Sequence, residues 1–387
     1  MTAEIAARAS ALGRLAIDTE FVSERRYQAL LCLAQVAVPD PGASDGVRTE
    51  VLDPLAGGVD TAPLTGVLAD PAVEVVVHAG RQDVAILRRS WGTVVRNVFD
   101  TQVAAGFLGM GSQEGYESLV RKVLNLRLGG SESFTRWDRR PLTEEQLAYA
   151  ADDARCLLAL GDRLEERLAE RGRLDWAREE CRALEAATDE RIPERLYERL
   201  PRLARLSEAA RGVALELVEW REDAARAMDR PATYLLPDHV LVELARRAPR
   251  NRRDLEHVRG LPPPTLHRRG PGLLKAVERG KRRTAPPAPP EPPGREPRDA
   301  PLVSLAQALV RQRSIESGVA VELIATQADL GGFVAALRRG ENGDRFRVGT
   351  GWRGELVGDE LRELLRGRRS LGVGLDGRLR VSETAEE

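Results

Sequence analysis

Apolar positions in the first part of the chain come as short runs with the period of strands, each closed by charged residues. Arg14–Asp18 (RLAID) and Leu31–Val38 (LCLAQVAV) read as neighbouring strands joined by the charged stretch Ser23–Tyr27. Val73–His78 (VEVVVH) is a β-branched run followed at once by a helical pattern, Gln82–Arg89. Val98–Phe99 lead into a further predicted helix, Asp100–Leu108. From Thr143 the period becomes helical for nearly thirty residues, opened by a capping box of Thr143 and Gln146. Strands first and mixed helices afterwards predict an α/β fold, a central sheet flanked by helices. Beyond residue 190 the pattern is almost all helical, with breaks at Pro231, Pro249 and Pro262–Pro264. A helical pattern covers Val303–Leu337, and Gly-rich segments lie around Gly349–Gly358 and Gly372–Gly377.

Composition adds boundaries to this picture. The proline run from Thr284 to Pro301 cannot enter a packed core and reads as a linker. The predicted domains are 1–190, 191–283 and 302–387, with the linker 284–301 between the last two. The formal net charge of the 387 residues is −1, which taken whole argues against a nucleic-acid binder. By segment it says otherwise. Residues 1–190 hold 22 basic and 31 acidic side chains, 191–285 hold 22 and 13, and 286–387 hold 15 and 16. An acidic block is followed by a basic one. No apolar run approaches the ~20 residues of a membrane span, and the first residues lack the layout of a signal peptide. The expectation is a cytoplasmic protein without a membrane partner. Cys32, Cys156 and Cys181 are too few and too scattered for a disulfide framework or a zinc site, and the four histidines are dispersed. Any metal must be held by carboxylates, which suits Mg²⁺ or Mn²⁺.

Three acidic groups end predicted elements of the first block. Asp18 and Glu20 are two apart in a strand and project to one face, where two carboxylates repel unless a cation lies between them. Asp83 sits at a strand–helix junction. Tyr149 and Asp153 are an i,i+4 pair on one helix face, and Asp152 points elsewhere. Taken singly, each is also an ordinary turn acid, helix-start acid or surface pair. In this order and at these elements, Asp18, Glu20, Asp83, Tyr149 and Asp153 resemble the DEDD exonuclease superfamily, in the branch with a Tyr-x-x-x-Asp third motif. The resemblance is to the ribonuclease D family. Ile17-Asp18-Thr19-Glu20-Phe21 with Tyr27 and Leu31–Gln35 is similar to its first motif. His78-Ala79-Gly80 through Asp83, followed by Phe99–Gln102, is similar to the second. Trp137-Asp138-Arg139-Arg140-Pro141-Leu142-Thr143 with Gln146 matches the approach to the third. One departure is Gly130, where the family usually has lysine. No histidine lies between His78 and His239, which sets aside the histidine branch.

The resemblance implies a ribonuclease H-like mixed sheet followed by all-α HRDC-type domains. It also implies a 3′→5′ exoribonuclease that trims tRNA precursors or other small structured RNAs and releases nucleoside 5′-monophosphates. Two divalent cations, Mg²⁺ or Mn²⁺, would be held by Asp18, Glu20, Asp83 and Asp153, with Tyr149 at the attacking water. Candidate substrate contacts are Phe21, Gln102, Trp137, Arg139 and Arg140; Phe21 reads equally as a core aromatic. Residues 191–283 resemble an HRDC domain, and 302–367 resemble more loosely the second HRDC-like region of the family, or else a structural cap on the exonuclease domain. From Arg246 to Arg283 there are 13 basic and 3 acidic residues. This predicts a phosphate-binding patch around Arg246, Arg247, Arg250, Arg252, Arg253, Arg268 and Arg269. The chain is expected to be monomeric. The competing readings are a 3′→5′ DNA exonuclease and an inactive RNA-binding scaffold that keeps the fold.

Overall fold

The computed structural model describes residues 2–43, 45–129, 135–284, 287 and 298–384. Gly130 and most of the 284–301 stretch lie outside the described residues. The chain forms two compact units: 1–20 with 32–188 and 292–387, and 21–31 with 189–291.

The first unit opens with α1 (Thr2–Leu12), then β1 (Arg14–Val22), β2 (Leu30–Pro39), β3 (Val47–Leu52), α2 (Ala62–Leu68), β4 (Glu74–Val77) and α3 (Arg81–Trp91). β5 (Val98–Asp100), α4 (Thr101–Phe107), the short α5 (Tyr116–Leu119), α6 (Glu144–Glu170) and α7 (Leu174–Arg182) follow. The sheet order is β3-β2-β1-β4-β5. β1 runs parallel to β4, with Ala16 beside Val76, and β4 runs parallel to β5, whereas β2 and β3 are antiparallel. Side-chain alternation splits the sheet into two apolar faces. Leu15, Ile17, Val36, Val38, Val75 and Val77 join one core with residues of α1, α2 and α3. Ala16, Ala37, Val76 and Phe99 join the other with α4 and α6. The three parallel strands end at the same edge, and ligands of open α/β sheets gather at such carboxyl ends.

The helical stretch after Thr143 is α6, and both halves of its capping box form. For residues 302–367 the sequence left two readings open, a second HRDC-like region and a structural cap on the first domain. The region holds α14 (Asp299–Ser317), α15 (Val321–Ile324), α16 (Gln327–Arg338), the single turn α17 (Gly351–Arg353) and α18 (Asp359–Leu365). It then closes with a β-hairpin, β6 (Arg369–Val373) and β7 (Leu379–Glu383). Its core is continuous with that of the exonuclease-like fold. Trp352, fully buried, meets Phe107 edge-on at 4.7 Å between centroids and stacks with Trp176 at 5.8 Å. Arg353 reaches Glu180 of α7 at 2.7 Å. Such contacts join residues some 170 positions apart, a distance that periodicity cannot see.

In the second unit α8 (Pro193–Glu198) precedes α9 (Glu208–Met228), the central helix. Then come α10 (Ala232–Leu235), α11 (Asp238–Arg247), α12 (Arg252–Glu256) and α13 (Pro263–Gly280), with the predicted proline breaks falling between them. The backbones of α9 and α13 touch: a Cβ on Gly280 would lie 2.5 Å from Val213 Cα, and one on Gly212 would lie 2.7 Å from the Gly280 carbonyl. Only glycine permits that approach. Among the described residues no helix is long and apolar enough to cross a membrane.

Trp352→Ala is expected to cost about 3–5 kcal/mol, as truncation of a buried aromatic does. Because Trp352 belongs to the core behind the sheet, the loss should appear in the unfolding of the first unit, followed by urea denaturation with circular dichroism. An unchanged midpoint would show the C-terminal region to be a detached module.

Candidate active site

Asp18 and Glu20 lie on the last part of β1, where the apolar run gives way to polar residues. Both are half-buried. Asp153 projects from α6, one face of which packs into the core through Ala150, Ala154 and Leu157. Oxygens of Asp18, Glu20 and Asp153 lie within 4.8 Å of one another. Among the described residues this is the only cluster of three or more His, Cys, Asp or Glu at that spacing. Asp83, in the first turn of α3, is buried and receives a hydrogen bond from the Thr19 hydroxyl.

Asp83 is aimed by its neighbours. The chain leaves β4 through Ala79, whose φ is +52°, and a Cβ on Gly80 would come within 2.4 Å of Val77 Cγ2. Asp100 accepts hydrogen bonds from the backbone N–H groups of Ala79 at 3.1 Å and Gly80 at 2.8 Å. The same carboxylate caps α4 by accepting from Gln102 N–H at 2.8 Å. One side chain therefore fastens the starts of two helices at the edge where the acids gather. Half-buried Tyr116 does similar service for α6, donating its hydroxyl to the Asp153 carbonyl at 2.5 Å.

Mutual repulsion and burial govern the electrostatics. Burial, then the charges of Asp83, Asp153 and Glu20, push Asp18 well above the carboxylate range. Burial and the same neighbours, Asp153 before Asp83, push Glu20 up to about 8. Burial raises Asp83 to about 6 against the pull of the Thr19 hydrogen bond. Burial likewise raises Asp153 to about 6, opposed by a hydrogen bond from Tyr149. Among the described residues no arginine or lysine pairs with any of the four. A group of acids so placed lacks one component, positive charge. All donors are oxygens, which fits a hard divalent cation and not zinc.

Tyr149 is half-buried, hydrogen-bonded to Asp153, and stacks with Trp137 at 6.3 Å between centroids. Burial and the nearby carboxylates raise its pKa above that of a free phenol. Of the five residues singled out by sequence, Asp18 and Glu20 lie on β1, Asp83 in the first turn of α3, and Tyr149 and Asp153 on α6.

The predicted substrate contacts fare differently. Arg140 is committed elsewhere: it binds both oxygens of Asp53 at 2.6 Å and donates to the carbonyls of Trp137 and Cys32. Such a guanidinium, with its donors in use, ties the segment before α6 to the sheet and has nothing left for phosphate. Trp137 is buried under Tyr149 and offers no open face. Gln102 spends its amide on the Glu114 carbonyl at 3.1 Å. Arg139 is exposed, and among the described residues its guanidinium forms no side-chain hydrogen bond or ion pair. Phe21 follows Glu20 in β1 and is half-buried. In the basic block Arg246 and Arg247 share Glu243, and Arg252 pairs with Glu256. Arg250, Arg253 and Arg268 are exposed and have no carboxylate partner among the described residues, and Arg269 is half-buried.

Comparison with known proteins agrees with this geometry. Residues 2–169 match a family model described as 3′-5′ exonuclease, and 210–277 match that of the HRDC domain. A ribonuclease D of Gluconacetobacter diazotrophicus is 37% identical over 364 residues, 93% of this chain and 89% of that protein. One of Nitrobacter hamburgensis is 35% identical over 96% of each chain. The crystal structure of Escherichia coli RNase D, an exoribonuclease involved in structured RNA processing, superposes with a TM-score of 0.81. It is 27% identical in sequence, over 94% of this chain and 96% of that one.

Raised carboxylate pKa values carry a sign for stability. Between the unfolded and folded values, here from about 4.5 to about 8 for Glu20, the folded state holds the extra proton and stability falls as pH rises. Metal-free protein should lose melting temperature across that window, and Mg²⁺ should flatten the slope. Asp18→Asn should raise the metal-free melting temperature at pH 8, by roughly 1 kcal/mol or about 2–4 °C. Calorimetry with and without Mg²⁺ reads both effects, and a pH-independent melting temperature without metal would contradict the electrostatics described.

Proposed function

The chain belongs to the ribonuclease D family and is a 3′→5′ exoribonuclease; from that premise we propose that it hydrolyses the terminal phosphodiester of RNA by two-metal chemistry at Asp18, Glu20, Asp83 and Asp153. The observation that carries this is the cluster of three carboxylates within 4.8 Å, with Asp83 alongside and no cationic side chain among them. Two divalent cations, Mg²⁺ or Mn²⁺, would supply there the positive charge that stabilises the attacking and leaving oxygens of an in-line displacement.

The protein's own groups have separable tasks. Asp18, whose charge is opposed by all three of the others, would be a shared holder of the cations. Glu20, Asp83 and Asp153 would hold them with it, and the cations would supply the charge that lets all four ionise. Tyr149 holds the attacking water in line. Its pKa lies above 10 for the reasons given, so at neutral pH the phenol keeps its proton and orients rather than deprotonates. The water oxygen bonds to the terminal phosphorus and the bond to the preceding 3′ oxygen breaks. That oxygen takes up a proton, and a nucleoside 5′-monophosphate leaves. Trp137 and Tyr116 fix Tyr149 and Asp153 without touching substrate. We assign Arg139, exposed and without an ion-pair partner among the described residues, to meet phosphate and Phe21 to stack the terminal base, and the Gln102 amide would have to leave Glu114 to reach RNA.

The substrates we assign are precursor tRNAs and other small structured RNAs, on the strength of the relative whose structure matches over nearly its whole length. In the helical unit Arg250, Arg253 and Arg268 supply free positive charge to a phosphate backbone, while Arg246, Arg247 and Arg252 would first exchange exposed carboxylate partners, a cheap step. Three free, buried cysteines suit a reducing cytoplasm.

With Mg²⁺ or Mn²⁺ the purified protein should shorten 5′-labelled RNA from its 3′ end, and Asp18→Ala should lower kcat by about 10³-fold or more. RNA and DNA oligomers run side by side separate a ribonuclease from a DNA exonuclease, and wild-type protein that leaves both intact would overturn the reading. Replacing Arg250, Arg253 and Arg268 together by glutamate should weaken RNA binding across sequences. It should also flatten the slope of log K against log salt by about 0.7 per lost contact. A slope equal to wild type would remove these residues from the interface.

A further inference from the structure

The parallel strands end at the acidic edge of the sheet and begin at the opposite one. Glu74 opens β4 and Val98 opens β5, with Arg14 of β1 beside Glu74. A cavity of about 520 Å³ lies between these strand starts and the last turn of α7. Along α6, Glu165 at this edge is twelve residues beyond Asp153, about 18 Å at 1.5 Å per residue.

Three guanidinium groups line the cavity. Arg178 and Arg182 are four apart on α7 and share a face, and Arg96 comes from the approach to β5. Arg182 is exposed, and among the described residues its guanidinium forms no hydrogen bond or ion pair. Arg96 meets Glu185 only at 3.6 Å, while Arg178 meets Glu165 at 2.9 Å and Glu74 at 3.4 Å. Exposed pairs of this kind exchange for phosphate at little cost. Burial, against the pull of Arg14, raises Glu74 to about 7, and a hydrogen bond with Glu165 lets the two share a proton near neutral pH. The two acids of the wall, Glu74 and Glu185, therefore carry less charge than its three arginines.

The rest of the wall suits a nucleoside. Asn97 has a φ of +50° and is held by its own peptide groups: its N–H donates to Glu185 at 3.0 Å, and its carbonyl accepts from Val75 N–H at 2.9 Å. Among the described residues its side-chain amide makes no hydrogen bond, which leaves a donor and an acceptor for a base edge. Pro71 and Val98 add apolar surface. Inorganic phosphate would fill little of this volume, whereas cavities of roughly 300–1,000 Å³ hold small organic ligands. A long RNA backbone would be repelled by Asp162 and Glu165, which stand at Arg14 and Arg178.

We propose that this cavity binds a free nucleoside 5′-monophosphate, its phosphate held by Arg96, Arg178 and Arg182 and its base by Asn97. Guanidinium forks match phosphate oxygens in pairs, and three of them around one opening can share a dianion. Molecules of this class are what the hydrolysis proposed above releases. The site itself does not depend on that chemistry, because it uses none of the four carboxylates at the other edge.

The test is titration calorimetry of the full-length protein with adenosine 5′-monophosphate in EDTA, so that no divalent cation supports binding at the catalytic carboxylates. Wild-type protein is expected to bind one nucleotide per chain with a Kd below about 1 mM. Replacing the exposed Arg96 and Arg182 together by glutamate should weaken binding by at least about tenfold. Arg182→Gln, a milder change at a side chain without partners, should weaken it in the same direction and guards against misfolding of the double variant. Asp18→Asn should bind like wild type, and adenosine and inorganic phosphate should each bind at least about tenfold more weakly than the nucleotide. Four results would overturn the proposal: no nucleotide binding by wild type, equal binding by the arginine variants, loss of binding in Asp18→Asn, or adenosine or phosphate binding as tightly as the nucleotide. A 5′-phosphorylated oligoribonucleotide that displaces the nucleotide at lower concentration than the nucleotide itself requires would also overturn it, by assigning the cavity to RNA ends. Failure of the exonuclease assay leaves these outcomes unchanged.

Discussion

Four carboxylates crowded at one edge of a sheet, partly out of water and without a cationic side chain among them, are the constraint on which the rest of the exonuclease unit depends. Asp83 and Asp153 push both Asp18 and Glu20 upward, Glu20 also pushes Asp18, and burial is the largest cause for all four. Left to itself such a group would spread or protonate. It stays together because every element that carries an acid is fastened by something else. Thr19 holds Asp83, Asp100 pins the starts of α3 and α4, Tyr116 holds the Asp153 backbone, and Arg140 ties the run before α6 to Asp53. The site stores electrostatic strain that folding of the surrounding core offsets and that cations would relieve. Stability given up for function in this way is a common trade in active sites.

Repulsion also explains why the core behind the sheet is so large. α6 carries Tyr149 and Asp153 and buries one face against the sheet, but α4 and α7 beside it need cover of their own. The C-terminal helices supply it through Trp352, Phe333 and Val357. A scaffold that must hold mutually repelling groups within a few ångströms benefits from rigid, well-packed support. The C-terminal region is therefore part of the unit that makes the site, whatever its likeness to a free-standing helical module.

How much of this was legible in the sequence follows from the range of each interaction. β1, β2, β4 and β5 announce themselves as apolar runs, and α6 by its capping box, because those signals are local. β3 was missed: VRTEVL alternates weakly and gains its identity only by pairing with β2. The acids were found by order and spacing. Their supports were not, with Asp100 the nearest miss, since an aspartate before Thr101 at a strand–helix boundary is an N-cap signal. Nothing local marks Tyr116. Arg140 and Trp137 were expected at the substrate because they stand in the motif that resembles the family's approach to Tyr149. The same donors and rings suit a buried network just as well, and only the partners Asp53 and Tyr149 decide between the two.

Charge shows the same limit in another form. The total of −1 conceals an acidic exonuclease segment and a basic helical one, and dividing the chain recovers that polarity. Division alone still overstates the basic side. Between Arg246 and Arg283 many of the cations meet a carboxylate on their own or a facing helix: Arg246 and Arg247 meet Glu243, Arg279 and Arg283 meet Glu216, and Lys281 and Arg282 meet Glu278. Exposed pairs of this kind contribute little to stability and exchange readily for phosphate. They lower the field that a distant RNA experiences without removing the donors that a bound RNA can use. In the complex proposed above, attraction at long range would depend on the arginines that have no carboxylate partner among the described residues, and grip at contact on all of them, so affinity should build steeply over the last few ångströms of approach.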